Sequence, residues 1–151
     1  MTASLIAPPG LKGVVVADTS VGDVLGDEGR FHYRGHDAIA LARSTSLEDA
    51  WHLVLLGSLP DTAASAAFRA RVGAARAAVD DATLALVRDV AAQAGPSADP
   101  LHVLQVALAR AAIDDPAVLD ASADERRARV LEVASQTPAL LAAAHRAAHG
   151  L

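Results

Sequence analysis

Apolar side chains recur at helical spacing from residue 37 onward, whereas the preceding stretch alternates or breaks, and this change of period separates two kinds of structure. Residues 21–25 and 30–33 are short runs rich in β-branched and aromatic side chains. The turn-forming Gly26-Asp27-Glu28-Gly29 between them predicts a β-hairpin over residues 21–33. Before the hairpin, Pro8-Pro9-Gly10 opposes both helix and ladder, so residues 1–9 read as an extended arm.

A first short helix is expected over residues 37–43. Ser46-Leu47-Glu48-Asp49 then resembles a capping box, and Leu47, Ala50, Trp51, Val54 and Leu55 follow the i, i+3, i+4, i+7, i+8 pattern of a buried face. Gly57 can close that helix in the left-handed conformation. Pro60-Asp61-Thr62 opens an alanine-rich helix to about Val79, and Asp80 or Asp81 caps another that ends at Gly95. Asp99-Pro100 places a cap before a proline at the first helical position.

The helix over residues 101–113 is apolar almost all round, the pattern of an element buried on more than one side. Ser122-Ala123-Asp124-Glu125 is a complete capping box for a last helix running toward His149 and Gly150. Pro138 removes one backbone bond inside it and predicts a kink near Ala134. The fold class is therefore all-α with a small N-terminal β-hairpin. Residues 1–36 form the arm and hairpin, and residues 37–151 the helical part; no internal repeat marks a further division.

Composition narrows this picture. The chain is 52% hydrophobic but only 3% aromatic. Small side chains must fill the interior, and helices must approach closely to reach normal density. The apolar excess, with a mean hydropathy of +0.29, implies that a partner surface covers some of it. It does not imply lipid, because the most apolar stretch is interrupted by His102, Gln105 and Arg110 and is shorter than the roughly 20 residues that span a bilayer. Net charge is −5, with the 13 Lys and Arg scattered, so no patch is present to neutralise successive phosphates and nucleic acid is not an expected partner. The absence of cysteine removes disulfides, thiolate catalysis and Cys-ligated zinc, and a cytoplasmic location is the expectation.

Candidate chemistry is sparse. His145 and His149 stand four apart on one helix, and His32 and His36 could approach through a turn, but no acidic residue stands one position after the first histidine of either pair and no third ligand has metal-site spacing. No Gly-x-Ser-x-Gly elbow presents a nucleophile. The early glycines lack the order of a dinucleotide or phosphate loop and more simply shape the hairpin. Asp27 and Glu28, and the trio Asp114, Asp115 and Asp120, fall in predicted turns, where solvated or capping carboxylates are the commoner case. No residue is assigned a catalytic, cofactor-binding or metal role.

Gly10-Leu11-Lys12-Gly13-Val14-Val15-Val16-Ala17-Asp18-Thr19-Ser20, followed by Gly26-Asp27-Glu28-Gly29-Arg30-Phe31-His32-Tyr33-Arg34-Gly35-His36-Asp37, resembles the opening of citrate synthases and 2-methylcitrate synthases. The likeness continues through Ser46-Leu47-Glu48-Asp49-Ala50-Trp51 to Gly57-Ser58-Leu59-Pro60, then Asp99-Pro100-Leu101-His102-Val103-Leu104 and Gln136-Thr137-Pro138-Ala139-Leu140-Leu141-Ala142-Ala143. Residues 62–95 are the least specific part. His36 stands where a tyrosine is common, and Leu101-His102 replaces the usual Met-Asp.

The resemblance implies the N-terminal portion of an incomplete citrate synthase-like large domain. The family joins the methyl carbon of acetyl-CoA or propionyl-CoA to the ketone of oxaloacetate and then hydrolyses the thioester. An Asp base, two His residues and carboxylate-holding Arg residues divide the work. No residue of this chain matches those motifs, so the resemblance implies a chain inactive alone that carries no cofactor. It also implies a homodimer, or pairing with a complete synthase subunit, through the helices over residues 101–113 and 128–149. Val130, Ala134, Thr137, Leu141 and Ala144 would form the contact stripe of the second. The alternative reading is a non-enzymatic helical dimerisation or interaction module.

Overall fold

Alternation and turn chemistry produce the hairpin where expected. In the computed structural model, which describes residue 10 and residues 13–15, 17–113 and 121–151, β1 (Gly22–Leu25) pairs antiparallel with β2 (Arg30–Tyr33). The register sets Gly22 opposite Tyr33 and Val24 opposite Phe31. A single 3₁₀ turn, Gly26–Glu28, joins the strands and ends at Gly29, whose φ of 64° is the left-handed conformation glycine adopts without steric cost. The arm over residues 1–9 and the trio Asp114, Asp115 and Asp120 lie outside the described residues.

A third strand extends the hairpin into a three-stranded sheet of order β1-β2-β3. This β3 (His36–Asp37) pairs with β2 through a two-residue turn, Arg34-Gly35, with φ of 50° and 81°. Positive φ at both central residues is the type I′ signature, normally written Asn-Gly or Asp-Gly. Arg34 tolerates it because its side chain is tied down. Nη2 donates to the Val54 carbonyl at 3.0 Å, and Nη1 donates to Ser20 Oγ.

Asp37 leaves the sheet and caps α1 (Ala38–Ser44), accepting the Ala40 N–H at 2.9 Å and the Arg30 guanidinium at 3.1 Å. Helix α1 thus begins one residue later than expected, because Asp37 itself belongs to the ladder and the cap. Helix α2 (Leu47–Leu56) has the expected Ser46 cap and ends at Gly57, φ 94°. Its buried face is rotated from the predicted one. Leu53 is fully buried and Leu47 is exposed, while Ala50, Trp51, Val54 and Leu55 are half-buried. The helix is apolar on more than one side, so its neighbours decide which side is covered, and periodicity alone does not.

The chain divides into two compact units, Met1–Leu59 and Pro60–Leu151. Among its described residues, the regular elements of the second unit are all helices. It contains α3 (Thr62–Ala77), α4 (Asp81–Ala94), α5 (Pro100–Ala112) and α6 (Ala123–Ala148), with Asp61, Asp80, Asp99 and Ser122 as their N-caps. Helix α6 packs against all three others. Its core takes Val87 and Ala91 from α4, Val103 and Ala107 from α5, and Leu140 and Ala144 from α6. One buried alanine per helix lets three backbones approach closely, which is how a chain poor in aromatics reaches a dense interior.

Two expectations change here. Ala144, placed in the outward contact stripe, is buried in this core, while Val130 is exposed and Ala134, Thr137 and Leu141 are half-buried. Helix α5 buries Val103 and Ala107 on one side only; Val106 is exposed along the helix, and Leu101 (61%) and Ile113 (73%) are exposed at its two ends. Helix α6 runs through Pro138 as one element, and the Ser135 and Thr137 hydroxyls donate back to the Leu131 and Val133 carbonyls on the turn before it.

The caps carry a pH dependence. Asp37 is held below its usual range by the Ala40 N–H and then by Arg30. Asp80 is lowered by the Thr83 hydroxyl and N–H, and Glu125 by the Ser122 capping contacts. A carboxylate depressed in the folded state contributes stability above its unfolded value, 3.8 for Asp or 4.5 for Glu, and that contribution disappears as pH falls through the folded value. The urea midpoint should therefore be flat near neutrality and fall in acid. The triple variant Asp37→Asn, Asp80→Asn, Glu125→Gln should show a weaker acid decline; an unaltered decline would contradict the assignment.

Candidate functional site

The strands separate the histidines that could have formed a metal pair. Tyr33 lies opposite His36 and His32 opposite Asp37, so His32 and His36 project from opposite faces of the sheet. On the face with His32 stand Asp23, Arg30 and Asp37, because Asp23 pairs with His32 across β1 and β2. Arg30 there donates to Asp37 and lies 3.8 Å from Glu28. Glu28 and Asp27 belong to the 3₁₀ turn, as the turn reading expected.

His145 and His149 do share a face of α6, with ring centroids 4.3 Å apart. Nδ1 of His149 is engaged by the His145 carbonyl at 2.8 Å, so the pair closes the helix end and that nitrogen is not available to a ligand. Among the described residues, no group of three or more His, Asp or Glu is placed to hold a metal ion.

Among the described residues three concavities stand out, each within one unit. A groove of about 210 Å³ along the sheet is lined by Ser20, Asp23, His32 and Arg34. Arg34 is committed there to Ser20 and Val54, so its guanidinium acts as a brace between the turn and α2. Sequence reasoning missed this role. The Arg-Gly dipeptide at a turn was its only local signal.

A larger cleft of about 400 Å³ lies where the connection between α3 and α4 meets α5 and α6, and it includes Asp80, Arg110, Arg129, Glu132 and Gln136. Its charges satisfy one another. Arg129 Nη1 donates to Glu132 Oε2 at 2.6 Å, Gln136 Nε2 donates to Glu132 Oε1 at 3.5 Å, and Asp80 accepts from Thr83 and feels Arg110. A third hollow of about 170 Å³, near the end of α6, is largely apolar, with Val103, Pro96 and Pro100 facing His145 and His149. Neither the cleft nor the hollow combines a nucleophile with a general base and an oxyanion donor, the constellation that acyl chemistry requires, and in the sheet groove the Ser20 hydroxyl is engaged by Arg34. Among the described residues, no helix is long and apolar enough to cross a membrane.

Against this geometry stand the likenesses to known proteins. The family model described as "Citrate synthase, C-terminal domain" matches residues 10–151. The chain is 32% identical over 139 residues to a citrate synthase of Haloferax volcanii, covering 89% of the chain and 35% of that protein. It is 28% identical over 152 residues to a citrate synthase of Synechocystis, with 96% and 35% covered. In fold it resembles the crystal structures of citrate synthase from Thermotoga maritima (TM-score 0.76, 23% identity, 93% of this chain and 35% of that one) and from Pyrobaculum aerophilum (TM-score 0.76, 25% identity, 95% and 37%). The chain spans about a third of the length of the relatives it matches.

Proposed function

The chain belongs to the citrate synthase family, and from that premise we propose that it is the N-terminal portion of an enzyme condensing acetyl-CoA or propionyl-CoA with oxaloacetate. The observation that carries this reading is a match over residues 10–151 that spans only about a third of each curated relative. The chain alone is inactive in this reading. The charges in the cleft satisfy one another and the hollow near the end of α6 is largely apolar, so neither offers an acid and a base placed on opposite sides of a reacting carbon. It needs no resident cofactor, acts in the cytoplasm, and works as a homodimer or paired with a complete synthase subunit. Which acyl-CoA is preferred depends on pocket contacts worth about 1–3 kcal/mol per methylene, and no residue here carries that choice.

The test is thiol release by the purified chain given either acyl-CoA and oxaloacetate. Release at the level of a heat-killed control is expected; turnover above it would overturn the inactive-portion reading.

A second reading, a helical interaction module without catalysis, is favoured by one observation: the outward side of α5 keeps Leu101 and Ile113 largely exposed, and Val130 of α6 is exposed as well. Contact with another chain would cover them. In both readings these helices meet another chain.

A further inference from the structure

The last turn of α6 sets two imidazole rings side by side. His145 and His149 are both exposed, their ring centroids are 4.3 Å apart and their planes are tilted by 36°. Both line the hollow of about 170 Å³ whose other walls include Pro96, Pro100 and Val103. The contact between His149 Nδ1 and the His145 carbonyl at 2.8 Å fixes a tautomer as well as a helix end. A carbonyl only accepts, so Nδ1 carries the proton, and in the neutral ring the lone pair is then on Nε2. A ring N–H donated to a backbone carbonyl is the outer contact that orients imidazole ligands of metal ions. The position also favours a cation, because the C-terminal end of a helix carries about half a negative charge. Arg146, the other basic residue of this turn, stands one position on, about 100° round the helix.

We propose that His145 and His149 form an open two-histidine site for a divalent transition-metal ion of the zinc, nickel or copper kind, with water completing the coordination. Imidazole nitrogen selects these ions, whereas magnesium and calcium take oxygen ligands. Nitrogen ligands stand about 2.0–2.1 Å from such an ion, so two on one ion lie about 3 Å apart. Neighbouring rings reach that spacing by turning about χ2, with the backbone of α6 unchanged. With two protein ligands the site is exchangeable, unlike a structural zinc site, which takes four. The bound ion cross-links positions i and i+4 of the last turn of α6.

Ni²⁺ is the probe, titrated by calorimetry into the full chain. Wild type should bind one ion in its tightest step. His145→Ala and His149→Ala should each weaken that step by at least about tenfold, because a chelate is lost with either partner. His102→Ala, at an exposed histidine on α5, should leave it unchanged. Ni²⁺ should raise the thermal midpoint of wild type and of His102→Ala but not of the other two variants, since an ion that binds the folded helix stabilises it; Mg²⁺ should raise none. Far-UV circular dichroism checks that all three variants keep their helices. Tightest binding that is the same in wild type and in the His145 and His149 variants, or that falls as far in His102→Ala, would overturn the proposal. So would a nickel-dependent dimer in sedimentation, which would place the ion between two copies.

Discussion

Leu140→Ala should lower the stability of the helical unit by about 2–5 kcal/mol, the range for emptying a buried leucine site. Leu140 is 1% exposed and belongs to the cluster formed by Val87, Ala91, Val103, Ala107 and Ala144. The size of the effect follows from what surrounds it. Three of the other five buried members of its cluster are alanines, which cannot extend into a vacated space, while Leu84, Leu104 and Leu108 packed around the cluster can relax toward it, so the cost falls within this range and below its top. Urea unfolding followed by far-UV circular dichroism measures it. A loss below about 1 kcal/mol, the ordinary effect of a surface change, would mean that α4, α5 and α6 do not share this core.

The second large effect separates two leucines on the same side of one helix, one over the core and one in the first turn beyond it. Leu104 packs against the core cluster, whereas Leu101, three residues earlier on α5, is 61% exposed. Leu104→Asp places a carboxylate beside Val103 and Ala107 without a partner. It should cost more than about 4 kcal/mol, enough to unfold a unit of ordinary stability. Leu101→Asp should leave helicity intact and, if α5 meets another chain, shift sedimentation toward monomer. Loss of helicity in Leu101→Asp, or a folded and stable Leu104→Asp, would contradict the placing of Leu104 over the core and Leu101 beyond it.

The helix boundaries were legible because they are written locally. Asp80, Asp99 and Ser122 cap the helices they were expected to cap, and Gly57 and Gly95 close two of them. A hydroxyl or carboxylate that satisfies an orphan backbone N–H needs only its own next three residues. The hairpin was legible for the same reason, through the turn that ends at Gly29.

What was not legible depends on partners distant in the chain. Strand β3 is two residues long and follows an Arg-Gly turn that no hairpin preference announces; the brace from Arg34 to Val54 holds it, twenty residues away. Leu53, not the face containing Leu47, became the buried side of α2, and Ala144 turned inward, because an apolar stripe wider than its contact leaves the choice of side to whatever packs against it. The candidate site was read from motifs the chain lacks. The geometry adds a reason of its own: His32 and His36 face apart, and Nδ1 of His149 is spent on the carbonyl of His145.

The most direct test of the central claim is thiol release measured three ways with acetyl-CoA or propionyl-CoA and oxaloacetate. The samples are the chain alone, the uncovered part of the Haloferax volcanii enzyme alone, and the two mixed. If the chain is a portion of a citrate synthase-type enzyme, turnover appears only in the mixture; turnover by the chain alone, or a mixture as silent as its parts, would contradict it.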